Sequence, residues 1–225
     1  NMKNRVLSPT LQAIYFTLLV SFFQGCTTVV VDQTRQAESQ IKQGESIVVI
    51  GRRSASDYET EQDLISCVGD ILAKDKQINV VPEDDFVDSL YPYFEPRIAP
   101  TRVQELNKLL SFNQVEQAID DYNIHYVIWI DGSTETTSSS GQINCGITGA
   151  GVSCFGFGTW GTESEYEATI WDFTDKVEVG KVSAVTSGQS YMPAVIVPIP
   201  IIAPVQGTAC DSLGDQLLEY LSAHH

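Results

Sequence analysis

The chain has 225 residues, and 29 acidic against 13 basic side chains give it a formal net charge of −16. Such a charge repels nucleic acid, whose binding depends on basic patches, and it repels anionic lipid head groups. The length suits one domain with a substantial core. Acidity therefore excludes classes of partner without naming one, and solubility alone is enough to explain it.

The amino-terminal stretch has the three parts of a secretory signal. Lys3 and Arg5 precede an uncharged apolar run at residues 11–23, and Gly25 and Cys26 follow it. A membrane-spanning helix needs about 18 apolar residues, so this run is short for an anchor and its basic start is unlike a core helix. We therefore assign residues 1–25 to a signal peptide.

The Gly-Cys ending of this stretch resembles a bacterial lipobox, in which cleavage exposes a cysteine that is then acylated. The resemblance implies lipidation at Cys26. Thr27 follows it in place of the aspartate of an inner-membrane retention signal, which implies the outer membrane. The alternative is a secreted protein in which Cys26 is a free thiol.

Residues 26–45 are polar and lack a sustained apolar period, which predicts a tether. A single domain is expected over residues 46–223. Hydrophobic periodicity predicts its first elements as a strand at 46–51, a helix at about 59–74, a strand at 77–82, a short helix at 86–90, helices that start at Thr101 and Asn113, and a central strand at 125–132.

Residues 91–100, called the aromatic segment below, combine prolines with aromatic side chains. Tyr91, Tyr93 and Phe94 are candidate anchors for a partner, because aromatic side chains held between prolines are rigid. An equally good interpretation is that they cover the core.

The cysteines predict disulfides. If Cys26 is acylated, four cysteines remain, an even number that favours two bridges in an oxidising compartment. Cys145 and Cys154 would close a glycine-rich insert at residues 134–162, whereas Cys67 and Cys210 lie on apolar faces of two predicted helices. No Lys-Ser or Lys-Thr pair follows these glycines, and no second ligand pair lies nearby, so neither a phosphate loop nor a metal site is predicted.

The last part of the chain predicts strands at 164–173 and 177–187 in a hairpin, then a closing helix. Residues 194–204 between them are apolar, but their prolines argue against a regular inner strand, so they are expected to be buried against the domain or a partner. Together with the aromatic segment, the predicted partner-binding residues are Phe155, Phe157, Trp160, Val195, Ile199 and Ile201.

The evidence for catalysis in the sequence is weak. An enzyme would need Asp131, Glu165 or Glu167 as an acid or base beside His125, and no nucleophile motif accompanies them. A histidine at a strand start is more often a structural hydrogen-bonding group. We expect no catalytic residues and no cofactor.

Four stretches of the chain carry a resemblance to a known domain: Ile47-Val48-Val49-Ile50, Asn79-Val80-Val81-Pro82, Tyr126 to Gly132, and the hairpin turn from Asp172 to Lys176. Their order resembles the α/β domain of the amino-terminal part of TolB, of the curli secretion lipoprotein CsgG and of lipoprotein activators of penicillin-binding proteins. The chain also resembles gammaproteobacterial lipoproteins that carry an Asp-Gly strand and a Cys-Gly loop of this kind. The resemblance implies an α/β fold with a mixed sheet and helices mainly on one face, carrying the disulfide-closed hairpin insert.

These observations predict a lipid-anchored outer-membrane lipoprotein that faces the periplasm, or the cell surface. Its expected role is a non-enzymatic adaptor for another envelope protein, with no nucleic acid partner. One alternative is a self-assembling homo-oligomer in an envelope secretion or surface machine. Another is a hydrolase of a cell-envelope substrate.

Overall fold

The computed structural model describes residues 27–37, 41–42, 44–52, 60–95, 100–149 and 151–222. The predicted signal peptide and Cys26 lie outside the described residues. The strands are β1 Thr27–Arg35, β2 Ser46–Gly51, β3 Asn79–Val81, β4 Ile124–Thr148, β5 Gly151–Asp172 and β6 Val177–Pro198. The helices are α1 Gln62–Leu72, α2 Glu83–Ser89, α3 Leu106–Leu109, α4 Asn113–Asp121 and α5 Val205–Ser222, with a 3-10 turn at Val103–Glu105. None of these described helices has both the length and the apolar character needed to cross a membrane.

All six strands form one mixed sheet in the order β1-β6-β5-β4-β2-β3. β2 pairs in parallel with β3 and β4, and α1 supplies the crossover that a parallel β2–β3 pair requires. β4, β5, β6 and β1 pair antiparallel. The predicted α/β class with a mixed sheet is confirmed.

Helices cover both faces of the sheet. Alternation along β4 directs Tyr126, Ile128 and Ile130 to a core layer under α1 and α5, and Val127 and Trp129 to a second layer under the short helices. The expectation of helices mainly on one face therefore holds only for the two longest helices. The shorter ones, α2 to α4, close the other face at one end of the sheet.

The two longest helices are joined covalently. Cys67 on α1 and Cys210 on α5 form a disulfide between positions 143 residues apart in the chain. Beside it, Gly214 of α5 lies directly against the Ile71 side chain, where even a Cβ would be crowded. This pairing is the one predicted from the apolar faces of the two helices.

The predicted tether at residues 26–45 is wrong over much of its length. Residues 27–35 form β1, which pairs with β6 from Thr27 opposite Gly188 to Arg35 opposite Gly180. Its side chains are mostly exposed, with Val29 at 42% and Val30 at 68%. An edge strand buries little on its outer side, so its sequence lacks the apolar alternation that would have identified it.

The predicted insert and the proline-rich segment are also parts of strands. β4 and β5 run through residues 134–162 with one register shift, between Thr136 and Ser138. β6 continues past Ser187 to Pro198. Pro193 has no N–H to donate. It is accommodated in β6 because its backbone nitrogen points away from β5, so no β5–β6 hydrogen bond is lost. Three long strands thus extend out of the body as one sheet.

Candidate functional site

The candidate site is the extension of β4, β5 and β6 beyond the helices. β2 stops pairing with β4 at Ile130, whereas β4 continues to Thr148. We call residues 131–149, 151–167 and 188–198 the arm. At about 3.3 Å per residue, Cys145 lies roughly 45 Å along the strand from Asp131.

Two glycines of the arm occupy positions that a larger residue could hardly take. Gly132 has φ 128° and Gly156 has φ 148°, conformations that other residues rarely adopt. A Cβ at Gly132 would collide with the carbonyl oxygen of Glu165, and one at Gly156 with that of Gln142. The β4–β5 pairing continues through both positions, so the sheet accommodates these conformations.

A network of polar side chains ties the arm to the body. The Tyr166 hydroxyl donates to Glu61 Oε2 at 2.9 Å and lies 2.7 Å from Thr134 Oγ1, which is also 2.7 Å from Ser164 Oγ. Glu61 Oε1 accepts the N–H of Thr134 at 2.8 Å. Burial, followed by the Glu61 carboxylate, raises the pKa of the Tyr166 hydroxyl far above its ordinary range, so Tyr166 remains a donor.

One face of the arm is acidic at its root. Tyr166 and Ala168 point into the core, so alternation places Glu163, Glu165 and Glu167 on the opposite face, which we call the open face. Asp131 lies opposite Glu167 and Glu135 lies opposite Glu163 across the β4–β5 pair. Like charges directly opposite one another destabilise a strand pair.

Two cations compensate part of this charge. Arg52 bonds Asp131 at 3.1 Å, and Lys181 bonds Glu167 at 2.6 Å. The Glu167 hydrogen bond raises the pKa of Lys181. Glu135, Glu163 and Glu165 form no ion pair with any Lys or Arg in the described part of the chain. The residues around these carboxylates line a cavity of about 380 Å³ on the arm.

The far end of the arm is apolar and exposed. Phe155 is 56% exposed and pairs with Val195, which is 73% exposed. Phe157 packs against Tyr191 with ring centroids 6.1 Å apart. The other exposed large apolar side chains here are Ile147, Val152, Ile196, Val197, Ile199 and Ile202. Patches of this kind mark interaction sites in soluble proteins.

A disulfide stabilises this end. Cys145 and Cys154 lie directly opposite each other in the β4–β5 pair and are bonded, as predicted. The bridge prevents the two strands from separating next to the exposed aromatic side chains. The apolar end of the arm is therefore presented on a fixed backbone.

Not all of the predicted partner-binding residues lie together. Phe155, Phe157 and Val195 are exposed on the arm, and Ile199 is exposed directly after it. Trp160 and Ile201 are partly buried, and alternation along β5 places Trp160 on the face opposite Phe155 and Phe157. The aromatic segment is elsewhere: Tyr91 is exposed and Tyr93 stacks on Phe112 at 4.7 Å, both beside the layer under α2 to α4. Phe94 is only 4% exposed and packs on Phe86, so its predicted role in binding is wrong and the core interpretation is correct.

The residues that an enzyme would need are not brought together. His125 is the second residue of β4 and contacts Asp172 at 3.3 Å, Glu45 at 3.6 Å and Thr174 Oγ1 at 3.1 Å. Asp131 is six positions further along the same strand, roughly 20 Å away. His125 thus joins the end of the sheet to the β5–β6 turn.

One further cluster contains side chains that could bind a metal, but its two cysteines form a disulfide. Cys67, Cys210 and Asp211 have ligand atoms within 4.8 Å of one another, but both sulfurs belong to the disulfide. A disulfide sulfur carries no thiolate charge and is a poor metal ligand. These residues hold two helices together.

No family model and no curated protein matches the sequence. Among solved structures, the chain is similar to the PelC dodecamer from Paraburkholderia phytofirmans in two crystal forms, one of them of a single-substitution variant. Identity is 12% in both, the match covers 88% of this chain and 100% of that chain, and the TM-scores are 0.45 and 0.43. A neuraminyllactose-binding hemagglutinin homolog from Helicobacter pylori is 9% identical over 83% of this chain and 86% of that chain, with a TM-score of 0.33. The resemblance of the sequence to TolB, CsgG and the penicillin-binding protein activators stays a prediction.

Proposed function

We propose that the protein is a non-enzymatic binding module of the bacterial envelope that holds another envelope protein through the end of its arm. The observation that carries this proposal is the group of exposed apolar side chains around Phe155 and Val195. Leaving them in water forgoes the free energy that burial would supply, about 25 cal/mol per Å². A strand pair closed by a disulfide also loses little conformational entropy when it binds.

The proposal includes the location of the protein. A lipid on Cys26 would hold it at the outer membrane, facing the periplasm, and the basic-apolar-cysteine order of residues 3–26 supports this assignment. Cys26→Ser should move the protein from the membrane fraction to the soluble periplasmic fraction. An unchanged distribution would refute the lipid anchor without affecting the binding role of the arm.

The binding role is tested by capture of envelope proteins on the purified domain. Phe155→Ser combined with Val195→Ser should abolish specific capture from a detergent-solubilised envelope fraction. Val177→Ser, at the exposed first residue of β6 and away from the arm, is the matched control and should leave capture unchanged. Equal capture by all three proteins would refute the arm as the binding surface.

A second candidate function is self-assembly, because the same exposed apolar end could join copies of this chain. Light scattering on the protein that lacks residues 1–26 separates the two functions. A discrete large species that Phe155→Ser dissociates would favour assembly over an adaptor role.

A further inference from the structure

The two edges of the arm differ. On the β6 side the chain returns along its own strand: Tyr191 and Ile201 exchange N–H···O=C bonds of 2.9 and 2.7 Å, and the N–H of Ile199 donates to the carbonyl of Pro193 at 3.0 Å. Pro193 itself has no N–H to offer. From Tyr191 to Pro193 this edge is therefore covered by the protein's own residues 199–201.

No described residue covers the β4 side in this way. β2 ends at the level of Ile130, and further out the Glu61 carboxylate accepts the N–H of Thr134. From Glu135 to Thr148, β4 pairs only with β5 within the described ranges. Alternate backbone N–H and C=O groups of this stretch point outward, which is the arrangement that accepts an added strand.

The composition of this edge leaves it unprotected. Proteins block exposed edges with proline, lysine or inward-pointing charges. Residues 135–148 contain no proline, lysine or arginine, and Glu135 is their only charged residue. The stretch is rich in Ser and Thr, which suit a solvated strand. The edge has one bulge, between Thr136 and Ser138. Beyond this bulge it is long and contains none of the blocking residues, so it is suited to pairing.

Charge identifies the chemistry of the occupant. A residue on an added antiparallel strand opposite Glu135 would have its Cβ within about 5 Å of the Glu135 Cβ. Glu163 lies on the other side of Glu135, with Glu165 nearby on the open face, and none of the three has a cationic partner among the described residues. A lysine or arginine at that position would relieve their mutual repulsion. A second copy of the chain carries a net charge of −16, so its approach to this acidic face would be opposed by repulsion.

We propose that the outer edge of β4, from Glu135 to Thr148, binds an extended segment of another protein that is basic where it passes Glu135 and uncharged along the rest of the edge. The inference deepens the proposed function, on which it rests, by naming the partner chemistry and the mode of binding. The backbone supplies most of the contact, and the carboxylates set the direction in which the segment lies.

The hydrogen-bond pattern shows which amides such a segment would use. Tyr191 directs its N–H and C=O away from β5, to Ile201, so alternation makes Ser190 bond to Trp160 of β5. Trp160 then faces away from β4, and its partner Ser139 directs its own backbone groups outward. The same alternation turns Ile143 outward, whereas Ser140 and Gln142 face β5.

The probe is a synthetic blocked peptide of three Thr-Val repeats followed by two Val-Lys repeats, so that an antiparallel strand brings its basic end to Glu135. The control peptide has Glu in place of Lys. Binding to the purified domain lacking residues 1–26 is measured by fluorescence anisotropy. The basic peptide should bind at least about tenfold more tightly than the acidic one. Glu135→Lys should weaken it by about tenfold, and Glu116→Lys, the same charge change on the exposed side of α4, should have little effect. Equal losses in both variants would refute a specific site.

Two measurements test whether binding occurs along the edge. Ser139→Pro removes an outward N–H and no β4–β5 bond, so it should abolish peptide binding while the circular dichroism spectrum is retained. In the wild type, hydrogen exchange should slow at Ser139 and Ile143 on peptide addition and stay unchanged at Ser140 and Gln142. Slower exchange at Ser140 and Gln142 instead would overturn the inference. The inference would also be overturned if no peptide binds and the protein forms dimers that Ser139→Pro dissociates.

The inference and the proposed function fail separately. If Phe155→Ser with Val195→Ser abolishes capture of envelope proteins while Ser139→Pro leaves it intact, the arm binds a partner but not through its edge. If the apolar substitutions leave capture intact, the proposed function itself is wrong.

Discussion

Because α1 and α5 are in close contact, alanine substitutions at two glycines of α5 should have opposite effects on the free energy of unfolding. Gly207 and Gly214 both lie in α5, but a Cβ at Gly207 would meet nothing within 4 Å, whereas a Cβ at Gly214 would lie 2.7 Å from Ile71 Cδ1, 2.9 Å from Cγ2 and 3.0 Å from Cβ. Alanine raises helix propensity at both sites by up to about 1 kcal/mol. At Gly214 the overpacking costs a further 1–3 kcal/mol, roughly, because the disulfide prevents the helices from separating.

The difference between the two variants therefore isolates the packing cost. Gly207→Ala should raise the free energy of unfolding slightly, and Gly214→Ala should lie about 1–3 kcal/mol below it, measured from urea midpoints with unchanged slopes. Ile71→Val removes Cδ1, the nearest atom, and should recover part of the loss in the Gly214→Ala background. Equal stability of the two alanine variants would refute the close approach of the two helices.

Three further results are expected. By the loop-entropy relation, replacing Cys67 and Cys210 with alanine should lower the free energy of unfolding by about 5 kcal/mol, because the disulfide links positions 143 residues apart. Replacing Cys145 and Cys154, which are 9 residues apart, should lower it by about 2.5 kcal/mol. Calorimetry that found the second loss larger would contradict this expectation. The pKa of the Tyr166 hydroxyl is raised in the folded state, so the unfolded chain releases this proton first, above about pH 10, and stability should fall as pH rises there. Urea midpoints measured from about pH 9 to pH 11 should fall less steeply with pH in Tyr166→Phe than in the wild type. Identical slopes would refute the buried donor. Gly132→Ala should reduce the protection of arm amides against hydrogen exchange. Gly146→Ala should not, because nothing lies within 4 Å of a Cβ at that position. Equal protection in both variants would show that glycine is not required at position 132.

The sequence predicted most of the body and part of the arm. Apolar periodicity located β2, α1, the start of β4 and α5, because each buries a regular face. It also placed Cys67 and Cys210 on helix faces that meet. β1 escaped because an exposed edge strand such as Thr27–Arg35 needs no apolar alternation.

The candidate site was harder to predict because it depends on register. Glu163, Glu165 and Glu167 alternate visibly in the sequence, but only the β4–β5 pairing shows that Asp131 and Glu135 stand opposite two of them. Phe94 illustrates the opposite difficulty. An aromatic residue between prolines has the same local pattern whether it faces a partner or, as here, Phe86 in the core.

The pairing of β1 with β6 has a consequence for how the protein would be held at a membrane. Thr27, the residue after Cys26, lies opposite Gly188, where the arm leaves the body, and β1 runs from there toward the base of the sheet. Acyl chains on Cys26 would thus be joined to the sheet without a flexible linker, and on the side toward which the arm points. Such an attachment fixes orientation as well as position, so the apolar end of the arm would be turned toward the bilayer, and its partner would be a protein at or in that membrane.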